Sequence, residues 1–372
     1  MGTSSEELQR PPAIEALTSI RFVFAMMVVV AHFLGIHQDA WRPGDVDDIG
    51  QIAVLCFFVP SGFVIAYNFP KFEGTSDRGR FILLRLARLY PVHLITLVAF
   101  VSVSRLGLTT IREHPEAFLL NLTLLQSWVP AAYISMGFNL PSWSISDEWF
   151  FYLMYPMLVC GSKVVRGLAI SAPLVASAAL MQWGCPTSSD LLDCTMLHYT
   201  FPPTRFVEFL AGVALCWTVR RGIFAAASPT TAAFVFAISA ALILDINGAS
   251  ATLASFAYLS SEVARKILAI AAAAALVWSL TKESPISKVL RHKLLVFGGE
   301  ISFSIYMIHL GTLVAISKVP ALSDRPLSVQ FAIFVTSTLI ASSAMFLLIE
   351  KPCRDMAKRR LRSRSDDAKN VR

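Results

Sequence analysis

Charged residues are scarce in this sequence. Asp, Glu, Lys and Arg make up 15% of its 372 residues, and hydrophobic residues make up 55%. Soluble domains usually carry about 25% charged residues, and the mean hydropathy of this chain is +0.60. No polar stretch is long enough to fold as a second, soluble domain. The composition therefore excludes an ordinary soluble enzyme and predicts a protein embedded in a membrane.

Cysteine is also scarce, and its positions exclude the common cysteine-ligated centres. None of the six cysteines shows the spacing of a zinc or haem site. The histidines in apolar runs and the scattered carboxylates likewise lack ligand spacing, so we expect no metal. Cys185 and Cys194 bracket a polar loop, where a disulfide forms only if the loop faces an oxidising compartment. The sequence alone leaves that pairing open.

Basic residues are unevenly distributed along the chain. After Glu350 there are nine Lys or Arg against three Asp, which accounts for +6 of the formal net charge of +7. A basic terminal segment of this kind binds anionic lipid, and we expect this lipid contact rather than nucleic-acid binding. Residues 1–16 hold three Glu against one Arg, which is unlike the basic start of a signal peptide. We therefore expect an uncleaved first span.

Apolar runs of about 18–22 residues recur along the chain, which is the length that crosses a bilayer as a helix. The predicted fold class is therefore all-α, a polytopic membrane helix bundle of about ten transmembrane spans. A shorter apolar piece, residues 118–129, predicts a re-entrant element. One membrane domain, residues 17–350, would lie between a cytoplasmic segment 1–16 and a basic cytoplasmic tail 351–372. The predicted spans are 17–36, 49–68, 81–104, 143–161, 166–184, 205–219, 231–247, 263–280, 296–317 and 328–349.

The distribution of Lys and Arg between the spans indicates the orientation. With ten spans and a cytoplasmic N-terminus, the basic connections after the second, fourth, sixth and eighth spans all fall inside, as the positive-inside rule requires. The connection 37–48 holds four Asp against one Arg and falls outside. A full crossing at 118–129 would move two basic connections outside. We therefore expect a multi-pass protein with both termini in the cytoplasm.

The first span carries two ionisable residues that lipid alone would not tolerate. Arg21 and His32 are eleven residues apart. That is about three helical turns, so both side chains share one helix face and lie roughly 16 Å apart along the axis. Ionisable groups within a membrane segment are costly and usually functional. The alternative is a histidine that only bonds a neighbouring helix and an arginine that reaches the lipid headgroups.

The second and third spans also carry residues that are unusual in a membrane. Pro60, Ser61 and Gly62 predict a break in the second helix, which neighbours could pack or where Gly62 lets a substrate chain approach the backbone. In the third span, Arg85 and Arg88 are three residues apart and are neighbours on one helix face. Two adjacent guanidinium groups suit a phosphate-rich ligand, although arginines near the interface can also reach lipid phosphate.

Two carboxylates stand at the start of an aromatic helix. Asp147 and Glu148 lie within WSISDEWFFY, where acidic residues can simply complement the helix dipole. Because two carboxylates at membrane depth are costly unless they are paired, the sequence predicts cationic partners for them. Arg21 and His32 are the obvious candidates.

Polar residues also form a stripe in the ninth span. Ser302, Tyr306 and His309 follow one another at spacings of four and three, so they share one helix face. The last span closes with Glu350 at its boundary. Pro352 follows it and predicts that the helix ends there.

In this order the segments resemble the acyltransferase-3 family of bacterial integral-membrane O-acyltransferases. The resemblance rests on the pair Arg21 and His32, the segment FFVPSGF, the RLAR pair, WSISDEWFFY, SFSIYMIH and the closing EKP, over residues 14 to 354 or so. It implies transfer of an acyl group, commonly acetyl from acetyl-CoA, to a sugar hydroxyl of an exported or surface polysaccharide or of a glycosylated small molecule. It also implies a location in the bacterial inner membrane.

The resemblance implies roles for particular residues. His32 would be the functional histidine with Arg21 as its motif partner, either as a general base or, by a second route, as the carrier of the acyl group. Asp147 or Glu148 would orient it and complete the catalytic set. The coenzyme would contact Arg85, Arg88, Ser61, Gly62, Tyr306 and His309.

The expected partners are acyl-CoA, a sugar hydroxyl and membrane lipid. Some members of the family carry a fused esterase-like domain that completes transfer to the acceptor. This sequence shows none, so the protein would act alone or with a separate acceptor-transfer protein. One alternative is a transporter or acyl carrier subunit of a polysaccharide export system. A structural subunit of a polysaccharide synthase is disfavoured, because scaffolds have little need of polar residues within several spans.

Overall fold

The computed structural model of the protein describes residues 12–36, 45–103, 105–183, 194–223, 226–244 and 261–370. Every regular element within these ranges is helical, and helices satisfy their own backbone hydrogen bonds in lipid. We number the helices of at least 16 residues in chain order. They are α1 (Pro12–Ile36), α2 (Asp45–Asn68), α3 (Thr75–Val103), α4 (Trp143–Cys160), α5 (Lys163–Trp183), α6 (Pro202–Arg220), α7 (Pro229–Leu244), α8 (Ser261–Leu280), α9 (Lys293–Ser317), α10 (Leu327–Met345) and α11 (Lys351–Asn370).

Among the described residues, six helices are long and apolar enough to cross a bilayer. They are α1, α2, α3, α8, α9 and the continuous run of α10 into α11. The helices α1 to α10 overlap the ten predicted spans in order. The prediction of an all-helical membrane protein is therefore confirmed, whereas the number of about ten crossings stays a prediction.

The connection between α3 and α4 is built from short pieces. The helices are Arg105–Glu113, Pro115–Leu122 and Ala132–Ser135, and single 3-10 turns lie at Gln126–Trp128 and Leu140–Ser142. The apolar piece 118–129 is thus not one spanning helix, as expected, and its re-entrant character stays a prediction. The other short helices are Cys194–Tyr199, Pro285–Leu290 and Pro320–Ser323.

Buried polar side chains hold this irregular connection against the start of α4. The Gln126 amide donates to the Ser142 carbonyl at 2.9 Å, and the Ser127 hydroxyl donates to the Trp143 carbonyl at 2.6 Å. The Ser146 hydroxyl donates to the Leu124 carbonyl at 2.8 Å. Such bonds satisfy backbone groups that an irregular segment would otherwise bury unpaired. They also fix the first turn of α4, and the two predicted carboxylates lie in the turn that follows it.

Two expectations about proline are wrong. Helix α2 runs without interruption through Pro60, although proline removes one backbone donor from the ladder. The chain also continues past Pro352, because α10 passes through a π-helical segment, Phe346–Glu350, into α11. Proline is tolerated in the first turn of a helix, and the wide π turn sets a new register just before it. The basic tail is therefore helical as far as Asn370.

The bundle is organised around α1 and α2. Helix α1 packs between α2 and α9, and α2 packs closely on α6. The tight α2–α6 crossing depends on two glycines, because a Cβ added at Gly62 would collide with the Phe209 carbonyl and one at Gly212 with the Val59 carbonyl. The pairing of Cys185 with Cys194 stays open, because those side chains lie outside the part of the chain that the structure describes.

Candidate active site

Arg21 and His32 both lie on α1, which is continuous between them. Both side chains are partly buried. They have different neighbours. His32 meets a histidine of α9, whereas Arg21 interacts electrostatically with an arginine of α3 and with carboxylates of α4 and the π segment. We name two groups: the histidine pair consists of His32 and His309, and the arginine cluster consists of Arg21, Arg85 and Arg88 with Glu148 and Glu350.

The histidine pair joins α1 to α9. His32 Nδ1 lies 3.0 Å from His309 Nε2, and the ring centroids are 4.9 Å apart. His309 is fully buried. Its Nδ1 lies 2.8 Å from the Tyr306 carbonyl oxygen, and His32 Nδ1 lies 3.1 Å from the Val28 carbonyl oxygen.

These contacts assign the protons of the neutral rings. A carbonyl oxygen can only accept, so His309 Nδ1 carries a hydrogen and donates it to Tyr306. His309 Nε2 then has a lone pair and accepts a hydrogen bond from His32 Nδ1. The Val28 carbonyl beside His32 Nδ1 agrees with a hydrogen on that atom. The remaining lone pair of His32 is therefore on Nε2, which is the atom able to take up a proton.

A narrow cavity extends from the arginine cluster to Tyr306 of α9. It is lined by Arg21 and Glu148 at the arginine cluster and by Ser302 and Tyr306 on α9. The Tyr306 hydroxyl accepts a hydrogen bond from the Ser144 hydroxyl at 3.0 Å, and its ring centroid lies 6.1 Å from that of His309. Tyr306, predicted to touch the coenzyme, thus lies between the cluster and the histidine pair.

The adjacent carboxylates Asp147 and Glu148 have different neighbours, because successive side chains of a helix point about 100° apart. Glu148 accepts a hydrogen bond from the Ser61 hydroxyl at 3.1 Å and lines the cavity. Asp147 is fully buried and interacts electrostatically with Arg205 and Lys266. The sequence proposed that one of them orients His32, but the structure places His309 at the His32 Nδ1 atom instead.

The arginine cluster brings four helices together. Arg85 lies against aromatic rings, with its guanidinium carbon 5.2 Å from the Phe69 centroid and 5.8 Å from the Tyr152 centroid. Arg88 interacts electrostatically with Tyr152, Glu148 and Glu350. The buried Nε atoms of Arg85 and Arg88 have no hydrogen-bond partner among the described residues. Unpaired buried donors of this kind indicate a place for a ligand or for water.

The carboxylates of the cluster are held by serines. Glu350, buried at the end of the π segment, accepts a hydrogen bond from the Ser304 hydroxyl at 2.9 Å. Ser61 holds Glu148 in the same way. Ser61 therefore lies at the cluster, and its contact with the coenzyme stays a prediction. Gly62 instead faces the backbone of α6, and the structure gives it a packing role.

A second buried ionic group was missed by the sequence analysis. Arg205 pairs with Glu208 at 3.1 Å, and Lys266 lies 3.7 Å from the same carboxylate. The Arg205 guanidinium carbon lies 5.6 Å from the ring centroids of both Phe58 and Trp143. Arg205 and Lys266 lie near the starts of predicted spans, so the rule that marks ionisable residues in apolar segments could have found them. The contact between Lys266 and Glu208 ties α8 to α6.

Comparisons with known proteins agree with this geometry. The model of an acyltransferase domain family, acyltransferase 3, matches residues 14–347. The chain is 30% identical to the acyltransferase MdmB of Streptomyces mycarofaciens, over 80% of this chain and 79% of that protein. It is 31% identical to protein 2 in the picA locus of Rhizobium radiobacter, over 46% of this chain and 97% of that protein.

No solved structure is significantly similar to the chain. The family model nonetheless covers nearly all of the helices that build the histidine pair and the arginine cluster. The chain therefore belongs to the acyltransferase-3 family, and it is a membrane O-acyltransferase.

Proposed function

We propose that this enzyme takes its acyl group from an acyl-CoA, commonly acetyl-CoA, whose phosphates bind at the arginine cluster. The observation that carries the proposal is the charge of the cluster: three guanidinium groups face two carboxylates, and serines hold both carboxylates. Surplus positive charge away from water is stabilised by an anion. Guanidinium groups suit phosphate because they donate two parallel hydrogen bonds.

The proposed acceptor is a hydroxyl of a sugar, in an exported or surface polysaccharide or in a glycosylated small molecule. A sugar hydroxyl needs to lose its proton as it attacks a thioester. His32 Nε2 takes that proton while the oxygen bonds to the acyl carbon. The carbon–sulfur bond then breaks, and the leaving thiolate takes up a proton to become the free thiol of the coenzyme. We favour this general-base route over an acyl-histidine intermediate.

The proposed orientation places both termini in the cytoplasm of a bacterium, with the enzyme in the inner membrane. The grouping of the residues supports it. Arg21, Arg85 and Arg88 belong to the parts of α1 and α3 that the charge pattern assigns to the cytoplasmic half, and they lie together in one cluster. His32 lies three turns further along α1. An acyl-CoA from the cytoplasm would thus reach the arginines first.

The acceptor is tested in host cells that lack the gene and are supplied with one variant at a time. Ester-linked acyl groups on surface glycans and secreted glycosides are measured by mass spectrometry, which also gives the acyl length. We expect esters with the wild type and with His114→Gln, an exposed histidine that serves as the matched control. His32→Gln retains hydrogen bonding but poorly accepts a proton, so esters should fall about 10²–10⁴-fold. Unchanged sugar esters with His32→Gln would contradict the proposal.

The donor is tested with purified enzyme and radiolabelled acetyl-CoA. Replacing Arg85 and Arg88 together by Ala should raise the KM for acetyl-CoA strongly, and replacing both by Lys should recover part of the affinity because lysine lacks the planar fork. The matched control is Arg80→Ala, an exposed arginine near the start of the same helix. An unchanged KM in the double Ala variant would rule out a phosphate site at these residues.

A further inference from the structure

Helix α11 lies against the arginine cluster although it follows the family match. The match ends at residue 347, and α11 begins at Lys351 directly after the π segment. It packs on α3, the helix that carries Arg85 and Arg88. The basic C-terminal segment therefore starts at the edge of the bundle, against the helix that carries the proposed donor site.

Arg354 is the residue of α11 that faces the cluster. Its side chain is partly buried, and its Nε atom is shielded from solvent without a hydrogen-bond partner among the described residues. The guanidinium carbon lies 5.7 Å from the Phe346 ring centroid. Arg354 interacts electrostatically with Arg88, which opposes its charge, and with Glu350, Asp355 and Glu300, which favour it. An anion bound beside Arg88 and Arg354 would reduce the repulsion between these two like charges.

Other arginines of the chain show how a structural arginine is held. Arg205 also has a buried Nε atom without a hydrogen-bond partner among the described residues, but it forms a direct ion pair with Glu208 at 3.1 Å. Arg291 donates two parallel hydrogen bonds to Glu283, at 2.8 and 3.0 Å. Both groups are neutralised by contact with a carboxylate, which is the usual state of a charge removed from water.

The cluster arginines lack such contacts. Among the described residues, no ion pair within 4.0 Å involves Arg21, Arg85, Arg88 or Arg354. The nearby carboxylates accept hydrogen bonds from serines instead. Arg354 also interacts electrostatically with Asp355 and Glu300, so the case for an anion rests on the missing ion pairs and on the unpartnered, shielded Nε atoms of the cluster arginines. The oxygens of a diphosphate or of a phosphate monoester would accept hydrogen bonds from such atoms.

We propose that Arg354 is a fourth guanidinium of the donor's phosphate-binding site, so that the C-terminal helix is part of the active enzyme. The inference rests on the proposed function, in which the donor is an acyl-CoA. The competing role for Arg354 is contact with lipid phosphate at the membrane surface. That role is shared by the exposed basic residues of α11, such as Arg359, and it is an outcome of the test.

The test compares Arg354→Ala, Arg354→Lys and the control Arg359→Ala in purified, reconstituted enzyme. The donors are acetyl-CoA and acetyl-pantetheine, which has the same thioester but no phosphate. We expect Arg354→Ala to raise the KM for acetyl-CoA about tenfold to a hundredfold, the loss of one charged hydrogen bond. Its kcat and its KM for acetyl-pantetheine should not change. Arg354→Lys should recover part of the affinity, and Arg359→Ala should resemble the wild type.

Three results would overturn the inference: an unchanged KM for acetyl-CoA in Arg354→Ala, an equal rise for both donors, or an equal effect of Arg359→Ala. The last would indicate lipid contact. Failure of the proposed function looks different, because the wild type would then use acetyl-pantetheine as well as acetyl-CoA. If only the inference fails, the double substitution of Arg85 and Arg88 still raises the KM for acetyl-CoA.

Discussion

His309 places a second imidazole against His32, and the hydrogen bond between them decides which nitrogen of His32 accepts a proton. His309→Leu removes the acceptor at His32 Nδ1 and frees the ring to turn. Loss of such a positioning contact usually costs about 10–100-fold in activity. We expect kcat to fall by that amount, with an unchanged KM for acetyl-CoA. His309→Gln offers an amide oxygen to the same hydrogen and should retain most of the activity.

The measurement is steady-state kinetics with thermal unfolding of each variant as a check on folding. If His309→Gln loses as much activity as His309→Leu and both unfold earlier, His309 only fills space. A raised KM with normal kcat would instead support the coenzyme contact that the sequence suggested. The kinetics and the unfolding temperatures together distinguish three roles of His309: positioning of His32, packing, and contact with the donor.

At the scale of residues, the spacing of Arg21 and His32 predicted one helix and one face, because a helix has a fixed rise and turn. The partner of His32 could not be predicted, since it lies 277 positions away in sequence and only packing brings the two helices together. The sequence also could not separate Asp147 from Glu148. They are adjacent and chemically alike, and their roles follow from which neighbouring helix each one faces.

The crossing of α2 and α6 leads to a prediction about Gly62. A methyl group there meets the Phe209 carbonyl, whereas at Gly311 of α9 it meets nothing within 4 Å. Overpacking of this kind costs about 1–3 kcal/mol. We expect Gly62→Ala to lower the unfolding temperature in detergent and Gly311→Ala to leave it unchanged or raise it slightly. A Gly62→Ala protein with normal stability but a raised KM for acetyl-CoA would restore the coenzyme interpretation of Gly62.

At the scale of elements, the apolar runs predicted where the long helices lie, because hydrophobic length and helix length are linked by the bilayer. They did not predict continuity at the prolines. Pro60 lies inside α2 and Pro352 in the first turn of α11, and both are tolerated through local geometry that a pattern of residue types does not show. The sequence did not predict the π segment either, because a π-helix differs from an α-helix only in which backbone groups are hydrogen-bonded.

At the scale of the whole molecule, the proposed phosphate-binding residues and the proposed proton acceptor lie in different places. The arginine cluster borders a narrow cavity that ends at Tyr306, and the ring of Tyr306 lies 6.1 Å from that of His309 in the histidine pair. Resemblance to a family indicated the two sets of residues but not their arrangement. That arrangement depends on α1, which contributes one residue to each set on a single rigid helix.

The length of α1 between Arg21 and His32 sets a minimum reach for the donor. Three helical turns amount to roughly 16 Å, so an acyl group attached directly to a bound phosphate cannot meet His32. Acetyl phosphate has the charge and the acetyl group but no arm. We expect it to compete with acetyl-CoA for binding and to form no sugar ester, whereas acetyl-pantetheine, with the arm alone, should react at a high KM. Ester formation from acetyl phosphate at the rate of acetyl-CoA would place the chemistry at the arginines. By this reasoning the enzyme selects donors by the distance between their phosphate and their acyl group as well as by their charge.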